Sequence, residues 1–285
     1  MNLKIKILIS ALIIFDVFIW QSIIFAGPNK NLEAYFLNVG QGDSELVVLP
    51  GNVKILIDGG PNNKILENLS KIFSPTDRYI DLVILSHPQT DHFNGLIDVF
   101  KRYKVGAFIF NGEKGVALSW QELAKSIKEN KSSIVVLKEG DKIKYQKNIL
   151  IFLSPGEKDL KSNDPNETAL VSLLENNSSQ ERVKILFTGD ISFKTEKNIL
   201  DKYNIKASIL KISHHGSKYS TSEEFLKAVN PKISVIEVGK NSYGHPTKEV
   251  LSRLASVESK IFRTDKDGLI KIEVDGENIK IFKIP

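Results

Sequence analysis

The chain has 285 residues, 41% hydrophobic and 26% charged, with 18 glycines and 10 prolines, which excludes a collagen-like or disordered polymer. It contains no cysteine, which removes disulfides, thiolate metal ligands and cysteine nucleophiles together. Thirty-nine Lys plus Arg against 34 Asp plus Glu leave +5 at pH 7, an excess that permits an anionic partner without requiring one.

Lys4 and Lys6 precede an apolar run from Ile7 to Ala26. Twenty helical residues reach about 30 Å, the thickness of a bilayer core. Asp16, near the middle, costs roughly 3 kcal/mol, while the Leu, Ile, Val and Phe residues around it contribute about 0.4 kcal/mol each, roughly 5 in total. Insertion wins on that balance. The expectation is an amino-terminal anchor or signal segment over residues 1–27, read as one membrane-spanning helix. The lysines ahead of it place residues 28–285 outside the cytoplasm. The alternatives are cleavage near Phe25-Ala26-Gly27, which would give a secreted protein, and a helix buried within the fold.

Gly27-Pro28-Asn29-Lys30-Asn31 reads as a short linker, and no later tract resembles one. Strands are predicted at Glu33–Val39, Ser44–Leu49 and Val53–Asp58, separated by turn residues. Ile65, Leu66, Leu69, Ile72 and Phe73 recur at helical spacing. A fully apolar strand at Leu82–Leu85 and a helix through Leu96, Val99, Phe100 and Tyr103 follow. The second part has the same style, with strands at Ile149–Leu153, Ala169–Leu174, Val183–Phe187, Ile209–Ile212 and Ile233–Val238. Helices are predicted near Thr195–Tyr203, Ser222–Val229 and Thr247–Val257. Two strands, Leu269–Val274 and Ile279–Ile284, close the chain. Short buried strands mixed with helices in two similar parts predict an α/β (α+β) fold of two packed sheets with helices outside.

The five histidines are His87, His92, His214, His215 and His245, all in short loop-like clusters. His87-Pro88-Gln89-Thr90-Asp91-His92 follows the strand ending at Ser86 and combines imidazoles with a carboxylate, the ligand types of divalent metals. Asp91 alone also fits the amino-terminal cap of the next helix. Thr188-Gly189-Asp190 follows a second buried strand, where Asp190 is either a ligand or a cap. Ser213-His214-His215-Gly216-Ser217 and Tyr243-Gly244-His245-Pro246 follow two more. Four clusters that each trail a buried strand can be gathered at one sheet edge, and their convergence points to a metal site. Val39-Gly40-Gln41-Gly42-Asp43-Ser44 lacks the lysine and helix of a phosphate-binding loop and reads as a tight hairpin turn bringing Asp43 to the site. No Gly-x-Ser-x-Gly elbow is present.

In order, these motifs resemble the metallo-β-lactamase fold family. More closely, they resemble the hydrolase-like carboxyl-terminal domain of the ComEC type of DNA-uptake (competence) proteins. The matches are Val39–Ser44, Ile57-Asp58-Gly59-Gly60, His87–His92, Asn166–Val171, Phe187–Asp190 and Lys211–Ser217, then Val238–Asn241, Tyr243–Pro246 and Arg263-Thr264-Asp265. The resemblance implies a four-layer αββα sandwich over 28–285. It implies His87 on a first metal, Asp91 with His92 on a second, and Asp190 bridging both. His214 or His215 adds a ligand, with His214 favoured, and His245 is a late site histidine. Asp58 then orients a ligand histidine. Gln89 stands where the general His-x-His-x-Asp-His pattern has its second histidine, and Asn166 where many such hydrolases place another. Fewer imidazoles suit Mn²⁺ or Mg²⁺, with Zn²⁺ also compatible, and two ions are expected.

The leading expectation is a metal-dependent phosphodiesterase, a nuclease acting on single-stranded DNA outside the membrane, with Asp91 and Asp190 as catalytic residues. Ser217, Lys240, Asn241 and Tyr243 flank the ligand loops as candidates for phosphate contact, with His215 beside them. DNA-uptake proteins of the ComEC type carry a multi-helix channel, whereas one apolar segment cannot form one; a separate channel protein is the expected partner. Two alternatives stand beside this reading. One is a hydrolase of a small phosphoester, lactone or cell-wall ester. The other is a catalytically silent, membrane-tethered module of an uptake assembly, motivated by Gln89 and Asn166.

Overall fold

The structure is a computed structural model that describes residues 2–25, 30–178 and 182–285. After α1 (Leu3–Phe25) the chain forms an antiparallel meander of β1 (Leu32–Phe36), β2 (Glu45–Leu49) and β3 (Val53–Ile57). Then come α2 (Lys64–Ile72), β4 (Tyr79–Ile84), α3 (Thr90–Arg102), β5 (Lys104–Phe110), α4 (Ser119–Asn130) and β6 (Ser133–Val136). The four strands β3 to β6 run parallel, each joined to the next by a helix on the outer face.

The second half repeats the plan. β7 (Lys142–Tyr145), β8 (Asn148–Ser154) and β9 (Val171–Asn176) are antiparallel neighbours. β10 (Val183–Phe187), α5 (Phe193–Leu200), β11 (Ile209–Lys211), α6 (Glu223–Val229), β12 (Ile233–Ile236), α7 (Lys248–Ser256) and β13 (Lys260–Arg263) follow, with β10 to β13 parallel. A four-residue helix, α8 (Thr264–Asp267), leads into the hairpin of β14 (Leu269–Asp275) and β15 (Asn278–Ile284). That hairpin returns to β1, giving an eight-stranded sheet ordered β15-β14-β1-β2-β3-β4-β5-β6 and a seven-stranded sheet ordered β13 to β7.

Three apolar clusters account for the layering. Phe36, Ile57, Phe152, Phe187 and Val235 come from both sheets and fill the space between them. Leu56, Leu69, Phe93, Leu96 and Leu123 bind α2, α3 and α4 to the outside of the first sheet. Leu186, Leu210, Phe225, Leu226 and Leu254 do the same for the helices of the second. The result is the αββα sandwich expected from the sequence.

The parallel strands end at one edge, so the residues after β3, β4, β10, β11 and β12 arrive together, the arrangement that places ligands at the carboxyl ends of parallel strands. β5, α4, β6, β7 and β13 have no counterpart among the predicted elements. β6 is exposed along its whole length, β7 alternates lysines with Ile143 and Tyr145, and α4 buries only Leu123, Ser126 and Ile127. β6 has no buried face to impose a pattern, whereas the apolar run of β5 and the period-two alternation of β7 are signals in the sequence that the predicted elements passed over.

α1 forms over the predicted apolar run, and its side chains stand exposed, Leu12 at 59% and Phe15 at 62%. Its described side chains end at Gln21, and the stretch from Ile7 to Trp20, broken by Ser10 and Asp16, reaches roughly 21 Å. Among the described residues no helix is long and apolar enough to cross a membrane, so the fold does not confirm the expected span. The predicted linker and cleavage position fall largely on residues 26–29, outside the described residues.

Candidate metal centre

Asp91 and His92 occupy the first turn of α3, directly after the loop that leaves β4. Asp91 lies inside that turn rather than at its cap, which is Gln89, so capping does not account for it. Asp190 leaves β10 and likewise caps nothing; Ser192 caps α5 by accepting from Lys194 N–H. His215 follows β11 in a turn where His214, His215 and Gly216 all take positive φ, at 51°, 52° and 83°. Left-handed backbone at two consecutive non-glycine residues is strained, and here it turns two imidazoles in different directions.

One ligand atom from each of Asp91, His92, Asp190 and His215 lies within 4.8 Å of the others. His92 Nε2 is 3.4 Å and His215 Nε2 is 3.5 Å from Asp190 Oδ2, and His215 Nε2 is 3.5 Å from Asp91 Oδ2. His92, Asp190 and His215 are buried, whereas the Asp91 side chain is 33% exposed and opens the group to solvent. The cleft over it has a volume of about 470 Å³ and is lined by Gln89, Asp91, Asn166, His215, Tyr243 and His245 among others.

Partners behind the imidazoles fix their outward nitrogens. Asp58 accepts from His92 Nδ1–H at 2.8 Å, from Ser86 N–H at 2.7 Å and from Ser86 Oγ–H at 2.6 Å. His215 Nδ1–H donates to the Glu237 carbonyl at 2.8 Å. Both rings therefore present Nε2 to the group, the arrangement by which a second partner sets the tautomer of a ligand histidine. His92 Nε2 and His215 Nε2 are buried without a hydrogen-bond partner, a costly condition that a divalent cation held between them and Asp190 Oδ2 would relieve. The donor set of two imidazoles and two carboxylates fits such an ion.

Charge within the group is strongly coupled. Burial works against the His215 imidazolium, but Asp190 and Asp43 outweigh it and push its pKa up to about 10. Burial likewise opposes ionisation of Asp190, yet His215, His92 and Lys211 hold its carboxyl well below the usual carboxylate range.

His87 lies next to this group but outside it. Its ring centroid is 4.1 Å from that of His92, its Nδ1 meets Ser86 Oγ at 3.0 Å, and its Nε2 lies 3.2 Å from the Gln89 side-chain amide. Burial and the neighbouring His92 lower its pKa to about 4. His214 is half-exposed with Nε2 3.9 Å from Asp190 Oδ2, so His215 takes the place in the group for which the sequence favoured His214. The His245 ring stands 5.7 Å from that of His214, facing the cleft and not the four-residue group.

Asn166 lines the cleft with a buried, unpartnered Oδ1. Asn241 is committed internally: its amide donates to the Gly239 and His245 carbonyls and accepts from the Tyr243 and His245 N–H groups. Ser217 is buried, Lys240 is exposed away from the cleft lining, and Tyr243 stands 73% exposed at the rim.

Beside the site, three buried charged residues, Lys211, Glu45 and Glu237, escaped the sequence reading. Lys211 pairs with Asp43, donates to the Gly189 carbonyl at 3.0 Å, and stands 3.6 Å from Asp190 Oδ1. Behind Asp43, Glu45 and Glu237 lie together, each with one oxygen unpartnered. Burial, with Asp43 alongside, pushes Glu45 up to about 8. A lysine inside the apolar strand Ile209–Ile212, just before Ser-His-His, was the available signal.

No family model matches the chain. Over 260 residues it is 28% identical to ComE operon protein 3 of Bacillus subtilis, covering 84% of this chain and 32% of that protein. It is 27% identical to Competence protein ComA of Neisseria gonorrhoeae over 274 residues, 92% of this chain and 36% of the other. The chain thus spans about a third of the length of these relatives. Among solved structures, the metallo-β-lactamase fold protein YhfI of Bacillus subtilis superposes with a TM-score of 0.57 at 11% identity, covering 84% of this chain and 99% of YhfI. The chain therefore has the metallo-β-lactamase fold and is similar, over most of its own length, to part of each of these competence proteins.

Proposed function

We propose that the chain is a metal-dependent phosphodiesterase acting on single-stranded DNA in the course of DNA uptake. The observation that carries this reading is the group of Asp91, His92, Asp190 and His215, open on the Asp91 side to a cleft. The similarity to competence proteins supports the substrate. Asp91, His92, Asp190 and His215 would hold a divalent ion, which would supply Lewis acidity toward a phosphoryl oxygen and an attacking water. Asp190 holds the group together from below, with Lys211 behind it. Asp91, being partly exposed, is placed to orient the water through a hydrogen bond. His214 and His245 line the approach to the phosphate, and Asn166 offers its unpartnered amide oxygen there. His87 and the Gln89 amide, 3.2 Å apart, are the residues that would hold a second ion.

The exposed apolar side chains of α1, preceded by Lys4 and Lys6, support an anchor over residues 1–27 holding 28–285 outside the cytoplasm, beside a separate channel protein. Flotation of the full chain with lipid vesicles tests this; recovery in the protein-only fraction rejects it.

The direct test uses the full chain, solubilised and stripped of metal by a chelator. Labelled single-stranded DNA is expected to be cut on addition of Mn²⁺, Mg²⁺ or Zn²⁺, and to remain intact with Asp190→Ala. Cleavage that persists in Asp190→Ala, or that no ion restores, rejects the reading.

A further inference from the structure

Among the described residues beyond α1, ten large apolar or aromatic side chains are exposed, and two of them directly follow the loops that carry Asp190 and His215. Phe193 opens α5 three residues after Asp190 and is 39% exposed; Tyr219 comes four residues after His215 and is 64% exposed. Four residues of extended chain span roughly 14 Å at most, so Tyr219 lies within that distance of His215 along the backbone. The Tyr219 carbonyl accepts from Phe193 N–H at 3.0 Å and joins the two loops. Ser220 Oγ–H donates to the Ser213 and Ser217 carbonyls at 2.9 and 3.0 Å, closing the His214–Tyr219 turn on itself. These bonds tie the two loops to each other beside the metal group, and none of Phe193, Lys218, Tyr219 and Arg253 lines the cleft itself.

Each ring carries a cation. Lys218 Nζ lies 5.0 Å from the Tyr219 ring centroid, and the Arg253 guanidinium lies 5.3 Å from that of Phe193. Arg253 is held in place by backbone oxygens, those of Lys218 at 3.1 Å and Glu249 at 3.3 Å. Among the described residues neither Lys218 nor Arg253 forms an ion pair with a carboxylate. Arg253 also feels the field of the nearby Glu196 carboxylate; exposed aromatic rings interleaved with cations are the features by which single-stranded nucleic acids are held without sequence preference. The rings stack on bases and the cations meet phosphates. Such a surface has little to offer a compact ester.

We propose that Phe193, Tyr219, Lys218 and Arg253 form a docking subsite for a single nucleic-acid strand, which it holds as one end of that strand enters the metal group. The proposal rests on the phosphodiesterase reading for its orientation, since the strand is placed by the cleft. A strand seated here stacks two of its bases beyond the scissile position, which makes length of substrate the property that the subsite senses. Duplex DNA, whose bases are already stacked and paired, cannot use the rings.

The test measures binding apart from cleavage. Fluorescence anisotropy of a labelled oligothymidylate is recorded with the full chain in excess chelator, at low and at moderate salt. Tyr219→Ala combined with Phe193→Ala is expected to weaken binding roughly tenfold or more, within the usual effect of losing base–aromatic stacking. Tyr219→Trp is expected to retain it. Phe282→Ala, which removes a 44% exposed ring on the remote strand β15, serves as the control. Arg253→Gln is expected to flatten the salt dependence. Unchanged affinity in the double variant, affinity lost equally in Phe282→Ala, or duplex bound as tightly as single strand overturns the subsite. Thermal unfolding of each variant separates a lost contact from a lost fold, and Tyr219→Trp keeps the proposal testable if the double variant unfolds. Strand binding by a parent chain that cuts nothing leaves the subsite standing while rejecting the phosphodiesterase. Cleavage by a parent whose ring variants bind normally does the reverse.

Discussion

The two sides of the cleft floor are built from similar residues but differ in how their polar atoms are occupied. On one side His92 Nε2 and His215 Nε2 face Asp190 Oδ2 at 3.4 and 3.5 Å, and both nitrogens are buried without hydrogen-bond partners. On the other, His87 is as deeply buried, yet both ring nitrogens meet neighbours, Ser86 Oγ at 3.0 Å and the Gln89 amide at 3.2 Å. The pKa values follow the same division: His215 is pushed up to about 10 by the carboxylates around it, while burial and His92 take His87 down to about 4. An imidazole becomes a ligand through what its second nitrogen is tied to and what its first is left facing. Sequence position alone does not decide it.

Perturbing the two sides separately sharpens this contrast. Asp190→Ala removes the carboxylate that faces three histidines and is expected to lower metal affinity and turnover by at least about 100-fold, more than the loss of an orienting partner. Metal content after dialysis and the cleavage assay report it. Asp58→Asn leaves the four-residue group intact but loosens the His92 ring, with an expected loss of about 10–100-fold in metal affinity by titration. Gln89→His acts on the other side: it offers the second imidazole, and bound metal per chain, by elemental analysis, is expected to rise toward two. No rise would show that the amide is not what limits that side.

Gly216→Ala tests the turn that aims His215. Gly216 has φ +83°, and an added Cβ would stand 2.5 Å from Pro246 Cβ, so a loss of about 1–3 kcal/mol in unfolding free energy is expected. Glu45→Gln is the gentlest probe. With a folded pKa raised to about 8, Glu45 contributes stability that is complete below the ordinary carboxyl range and is lost as pH rises through about 8. The variant should therefore unfold at a higher temperature than the parent at pH 8 and differ little at pH 4.

Much of the architecture was legible because the strands that position the site are apolar and short. Val183–Phe187 and Ile233–Val238 announce buried strands whose ends carry Asp190 and the loop to His245. The choice between His214 and His215 was not legible, since it depends on two consecutive left-handed residues, and nothing in His-His-Gly states which ring turns inward. Lys211 was hidden by its context: one lysine in an apolar strand reads as an outward-facing residue, yet here it is fully buried against Asp43. β6 was missed for the opposite reason, being apolar but exposed at the sheet edge, where no core imposes a pattern.

The metal group is assembled across the seam of the sandwich, Asp91 and His92 from the first sheet and Asp190 and His215 from the second. A nascent chain consequently has no complete ligand set until residue 215 has been synthesised and the two sheets have met. Any reaction that the candidate centre supports would be withheld from unfinished or misassembled copies. The same logic makes a bound ion a rivet between layers, so that chelation should quicken amide exchange along the facing ends of β4 and β10 before it touches the outer helices.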